Sequence, residues 1–178
     1  MNKLKQFPIK DYARNAKMYD EYINKLKMLN GWLPGNQEYN FKELARLSDM
    51  TGSSLKGKDI LDVGCGTGDF VPLLRQKGIN KYVGIDIYKP SLEKARKQYP
   101  TETFIEGDLL SEMITERFDY AFCSGGFTIK LSVSNYDFLE AMLRKMWELT
   151  RIGIAFNALT DDDPEPDSDL FFYNPEKV

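Results

Sequence analysis

The sequence predicts an α/β fold, a three-layer sandwich built on a mainly parallel sheet. Three observations carry that prediction. Short apolar runs alternate with helical patterns from about residue 58 onward. One of those runs, Ile60-Leu61-Asp62-Val63, passes straight into a loop with glycine at alternate positions. The length, 178 residues, suits one domain with room for a core.

The elements follow in order. Tyr12, Ala16, Tyr19, Ile23 and Leu26 recur at spacings of four and three, which is one face of an amphipathic helix over residues 11–29. Gly31 and Pro34 interrupt that pattern. A second helix is expected from Glu38 to Met50, with Phe41, Leu44 and Ala45 inward, and TGSSLKG at 51–57 is a polar connector. Strands are expected at Asp59–Val63, Tyr82–Asp86, Thr103–Glu106, Tyr120–Cys123 and Gly153–Asn157. Helices are expected between them, at Phe70–Lys77, Pro90–Tyr99, Ser111–Glu116 and Asn135–Leu149. In the last, Leu139, Met142, Leu143 and Met146 mark the buried face. Right-handed crossovers put such helices on both faces of the sheet. A further short apolar piece lies at Leu170–Tyr173, and Asn174-Pro175-Glu176 reads as a helix start.

Composition narrows the function. The hydrophobic fraction is 42%, the charged fraction 29% and the net charge −3, ordinary values for a soluble protein. That balance argues against a nucleic-acid-binding surface, which shows as a basic excess. Charge is uneven, +4 over residues 1–27 and −6 over residues 161–178, and two solvated segments account for it. Histidine is absent, and Cys65 and Cys123 stand far apart. A disulfide framework, a Cys/His metal site and a histidine base are thereby set aside. No apolar run is long enough to span a membrane, and the first residues do not read as a signal peptide. A cytoplasmic location is expected.

The chemistry concentrates in Asp62-Val63-Gly64-Cys65-Gly66-Thr67-Gly68-Asp69. Glycines let the backbone turn sharply and approach a ligand closely. The helix start beyond them offers unpaired N–H groups to an anionic group. A dinucleotide fingerprint is G-x-G-x-x-G, whereas here the third glycine comes one residue early and an acid follows it. Flanking acids suit a ligand with both an ammonium and a carboxylate better than a pyrophosphate. Val83-Gly84-Ile85-Asp86-Ile87 then places an acid at the end of the second strand, 18 residues after Gly68. An acid at about that distance accepts hydrogen bonds from ribose hydroxyls, or else simply caps the turn before the next helix.

These segments resemble the class I S-adenosylmethionine (SAM)-dependent methyltransferases of bacterial type, from about Asn40 through Leu159. DVGCGTG at 62–68 is similar to the family's first motif. The resemblance implies a Rossmann-like fold and SAM as cofactor. It implies that the backbone of Gly64 and Gly66 lies against the methionine portion, with Asp62 supporting the loop and the ammonium side; Cys65, between those glycines, is counted with the cofactor-binding loop, its side chain expected to pack inward. It implies that Asp86 holds the ribose, that Ile87 packs on the adenine, and that Asp108 and Leu109 meet the adenine amino edge. Ser124 and Gly125, in Phe122-Cys123-Ser124-Gly125-Gly126-Phe127, are expected near the reactive methyl and the acceptor. Ser-Gly-Gly-Phe replaces the Asn/Asp-Pro-Pro-aromatic tetrapeptide of enzymes that methylate base amines, and Cys123 lacks the adjoining proline of cytosine C5 enzymes.

The expected activity is methyl transfer to an acceptor, most simply a small molecule, with no membrane partner and no metal. A non-catalytic SAM-binding or scaffold protein on the same fold, or a nicotinamide enzyme, stays open as an alternative. No catalytic residue is assigned. Positioning alone supplies much of the rate in such a displacement, so a general base is optional. Residues 1–50 are read as a helical cap and 51–178 as the SAM-binding domain, within one globular unit. The early tyrosines either close over the cofactor or pack on the sheet. About 20 residues follow the fifth strand, too few for the helix and hairpin that complete a seven-stranded sheet. A fragment or truncated form, with self-association through an exposed sheet edge, is therefore expected.

Overall fold

The computed structural model describes residues 35–111, 114–161 and 169–178. The helix expected over residues 11–29 lies outside the described residues. Helix α1, Asn36–Ala45, buries Phe41, Leu44 and Ala45 as their spacing requires. The helix expected to run on to Met50 breaks at Arg46. There the amide takes both Lys42 O and Glu43 O, and a short helix α2, Leu47–Met50, follows. Tightening to an i→i+3 bond ends the first helix without a proline or glycine to announce it.

Five parallel strands form the sheet: β1 Asp59–Val63, β2 Lys81–Asp86, β3 Thr103–Glu106, β4 Phe118–Cys123 and β5 Thr150–Phe156. Their order is β3-β2-β1-β4-β5. The chain moves outward from β1 to β3 and then returns to the other side of β1 for β4. That reversal opens a crevice beyond the carboxyl ends of β1 and β4, where ligands of open parallel sheets bind. Four of β1's five residues, Ile60 to Val63, are buried, which is why it reads as an apolar run and not as an alternation.

Helices cover both faces. Ile60, Tyr82, Phe104, Tyr120 and Phe122 face a core that includes Phe41 and Leu44 of α1, Leu74 of α3 (Val71–Gln76) and Leu92 of α4 (Lys89–Gln98). Phe41 stacks on Phe70 with ring centroids 4.4 Å apart. Leu61, Val63, Val83, Ile85, Ala121 and Cys123 face Phe138, Leu139, Met142 and Met146 of α5 (Asn135–Glu148). Ser134 caps α5, its hydroxyl accepting the Asp137 amide at 3.2 Å.

The helix expected over Ser111–Glu116 is not seen among the described residues of that stretch. Ser111 turns back on Asp108 instead, its amide donating to Asp108 O at 3.0 Å and its hydroxyl at 3.2 Å. At the chain end, Leu170 bridges Ile129, and β7 (Phe172–Tyr173) pairs in parallel with β6 (Leu159–Thr160). Asn174 caps a 3₁₀ turn, Pro175–Lys177. Among the described residues β5 pairs with β4 alone in the main sheet.

Candidate functional site

The glycine loop leaves β1 and bends over the ends of β1 and β2. Gly64, Gly66 and Gly68 have φ of 71°, 53° and 78°, the left-handed region that residues with a Cβ avoid. The Gly64 and Cys65 amides donate to Ile85 O at 2.8 and 3.2 Å, and so tie the loop to β2. Asp86 ends β2 and continues the lacing. Its Oδ2 accepts the Gly66 amide at 2.7 Å and its Oδ1 the Tyr88 amide at 2.7 Å. Asp86 thus caps the turn before α4 and also holds the glycine loop. The Gly107 amide donates to Asp86 O at 2.9 Å, and Asp108 Oδ1 accepts the Leu110 amide at 3.0 Å, so the end of β3 joins the same network.

These ends enclose a cavity of about 140 Å³. Of the expected site residues, Gly64, Gly66, Asp86, Ile87, Asp108, Leu109, Ser124 and Gly125 all line it. Asp62 and Cys65 do not. Strand alternation turns Leu61 and Val63 toward the α5 face and Asp62 toward the other. There Asp62, 3% exposed, accepts the Tyr82 hydroxyl at 2.7 Å. Cys65 packs on the same side against Gly84, where an added Cβ would lie 2.7 Å from its Sγ. Both residues support the loop from behind.

Ile129, Leu131, Phe138 and Met142 form an apolar wall that the sequence analysis did not place in the site. Asn157, expected only as the last residue of a strand, proves to hold the turn after β4. Its Oδ1 accepts the Gly125 amide at 2.7 Å and its Nδ2 donates to Ser124 Oγ at 3.3 Å. An asparagine closing an apolar strand was the available signal, but only the β4–β5 pairing brings it to Ser124.

The electrostatics have one sign. Burial raises the Asp86 carboxyl to about 6, against the lowering effect of the Gly66 and Ile87 amides. Burial likewise raises Asp62 to about 7; the Tyr82 bond opposes this, and Asp86 and Asp69 add to it. Burial also pushes both cysteine thiols up, which leaves neither as a thiolate nucleophile. Asp86 and Asp108 are the ionisable acids of the lining, and no Lys or Arg stands among the described lining residues. Such a cavity favours a cationic ligand and disfavours a pyrophosphate.

Known proteins resemble this chain in sequence and in fold. A sequence model described as a methyltransferase domain matches residues 60–153. Malonyl-[acyl-carrier protein] O-methyltransferase of Pectobacterium atrosepticum is 32% identical over 127 residues, 68% of this chain and 48% of that protein. Trans-aconitate 2-methyltransferase of Rhizobium etli is 32% identical over 107 residues, 60% of this chain and 40% of that protein. The chain therefore spans about half the length, or less, of the curated relatives it matches. Among solved structures, magnesium protoporphyrin IX methyltransferase from Synechocystis PCC 6803 with bound SAM superposes with a TM-score of 0.69 at 15% identity. That match covers 97% of this chain and 84% of the other, and it shows a shared fold. With the domain model matched over more than half of its residues, and the matched stretch carrying the glycine loop, Asp86, Asp108 and Ser124, the chain belongs to the methyltransferase domain family.

Proposed function

We propose that this chain is a SAM-dependent methyltransferase acting on a small-molecule acceptor. The observation that carries the reading is the charge of the cavity: two carboxylates, Asp86 and Asp108, and no cation among its described lining residues. A ligand bearing a sulfonium and an ammonium fits that field, and a dinucleotide does not. When bound, SAM supplies an electrophilic methyl group. The residues of the chain then hold and orient. Asp86 accepts the ribose hydroxyls, Ile87 and Leu109 flank the adenine, and Asp108 accepts its amino group. Gly64 and Gly66 admit the methionine portion to the backbone, with Asp62 and Cys65 bracing the loop. Ser124 and Gly125 stand at the methyl end.

The names of the relatives support a small acceptor, since one is a trans-aconitate enzyme and another acts on a malonyl group carried by a protein. No helix among the described residues is long and apolar enough to cross a membrane. Residues 1–50 serve in this reading as a cap on the binding domain at 51–178. Its support is that Phe41 stacks on Phe70 and Gln37 Nε2 donates to Asp69 Oδ2 at 3.4 Å.

The test is methyl transfer from radiolabelled SAM to a panel of small carboxylic acids, thioesters, amines and phenols. Label recovered in one class of acceptor supports the reading. SAM binding without transfer to any of them favours a non-catalytic binding protein.

A further inference from the structure

We propose that Asn157 and Ser124 form a positioning pair that aims a hydroxyl proton into the cavity, and so select an acceptor that presents an oxygen lone pair. The inference rests on the methyltransferase reading and deepens it to a class of acceptor atom. The orientation of the Asn157 amide follows from its partners. A backbone N–H can only donate, so the atom 2.7 Å from the Gly125 amide is Oδ1. Nδ2 is thereby turned to Ser124 Oγ, 3.3 Å away. An amide NH₂ only donates, so Ser124 Oγ accepts in that direction and its own proton points elsewhere. Ser124 lines the cavity, and in this proposal that proton meets an acceptor bound there.

The turn that carries the hydroxyl is held independently of it. Thr128 Oγ1 donates to Gly125 O at 3.0 Å, and the Asn157 backbone N–H donates to Cys123 O at 3.2 Å. The cavity is divided accordingly. Asp86 and Asp108 follow β2 and β3 on one side of β1, while the Ser124 hydroxyl follows β4 on the other. The acidic half suits the cationic methyl donor, and the half with a hydroxyl donor suits a carboxylate, enolate or similar oxygen acceptor.

Asn157→Asp separates proton direction from mere support. A carboxylate still accepts the Gly125 amide, so the turn stands, but it also accepts the Ser124 proton and draws it out of the cavity. The probe is acetate, titrated into the SAM-bound protein while the amide resonances of Ser124, Gly125 and Gly126 are followed by NMR. In the unsubstituted protein these signals are expected to shift saturably at acetate concentrations up to about 0.1 M. Ser124→Ala and Asn157→Asp should each weaken acetate by about fivefold or more, as for one lost hydrogen bond, with each variant held at saturating SAM. In the Ser124→Ala background, Asn157→Asp should then change acetate affinity by less than about twofold, because no proton is left to redirect. No saturable shift in the unsubstituted protein overturns the proposal. So does an equal loss from Asn157→Asp in both backgrounds, which would assign the effect to charge. Failure of SAM itself to bind would instead overturn the cofactor reading on which the proposal rests.

Discussion

Lowering the pH should weaken cofactor binding by an amount set by Asp86. Burial raises this carboxyl to about 6 in the free protein. A cationic ligand with hydroxyl donors interacts with the ionised form, so binding competes with protonation. The apparent dissociation constant then grows by a factor of 1 + 10^(pKa − pH). With a pKa of about 6 the factor is about 11 at pH 5 and about 1.1 at pH 7, a tenfold loss or about 1.4 kcal/mol. The folding side has the opposite sign. A carboxyl whose pKa is raised on folding, from 3.8 to about 6, favours the folded state most below 3.8, and that contribution is lost as pH rises through about 6. The bound cation offsets the loss, so SAM should raise the melting temperature more at pH 7 than at pH 5. Calorimetric titration at pH 5, 6 and 7, in buffers of different ionisation enthalpy, measures affinity and proton release together. Asp86→Asn should flatten the profile. An affinity unchanged between pH 5 and 7, with no proton released, would refute the assignment of Asp86 to the ligand.

Two further substitutions test the supports behind the loop. Gly84→Ala sets a Cβ 2.7 Å from Cys65 Sγ, 2.9 Å from Cys65 Cβ and 3.0 Å from Phe104 Cδ1. It should cost about 1–3 kcal/mol in chemical denaturation, as overpacking does, and an unchanged midpoint would show that the Cys65 side of the loop yields freely. Tyr82→Phe removes the hydroxyl that donates to buried Asp62 and should cost about 1–3 kcal/mol. The Asp62 carboxyl ionises through about 7, so the loss should be larger at pH 8 than at pH 5; an equal loss at both would contradict the hydrogen-bonded pair.

Much of this architecture was legible because it rests on local signals. β1 and β3 have the expected bounds, and β2 and β4 end where expected; β1, β2 and β4 are buried strands that read as apolar runs stopping at the turn, while β3, at the sheet edge, buries Phe104 alone. Asp86 was legible because it ends β2 at the crevice, whereas Asp108, two residues past β3, came from the family resemblance; both line the cavity. Other features depend on what pairs with what. The break at Arg46 leaves the apolar spacing of Phe41, Leu44 and Leu47 undisturbed, so periodicity ran through it. Cys65, expected to pack inward from among the glycines, does so: left-handed backbone on both sides lets the chain swing it behind the sheet, which takes its side chain away from the cavity. Met142 read as ordinary core on α5, and it is, with Phe138 one turn before it in the same core; the crevice opens onto that core. Asn157 lies 33 residues beyond Ser124 and meets it only through the strand order.

The central claim is that the cavity beyond β1 and β4 takes SAM. Calorimetric titration of the chain with SAM, S-adenosylhomocysteine and NAD at pH 7 tests it most directly. The account predicts saturable binding of the first two and none of NAD, since the third loop glycine comes one residue early for a dinucleotide and no cation stands among the described lining residues. Binding of NAD with no binding of SAM would contradict it.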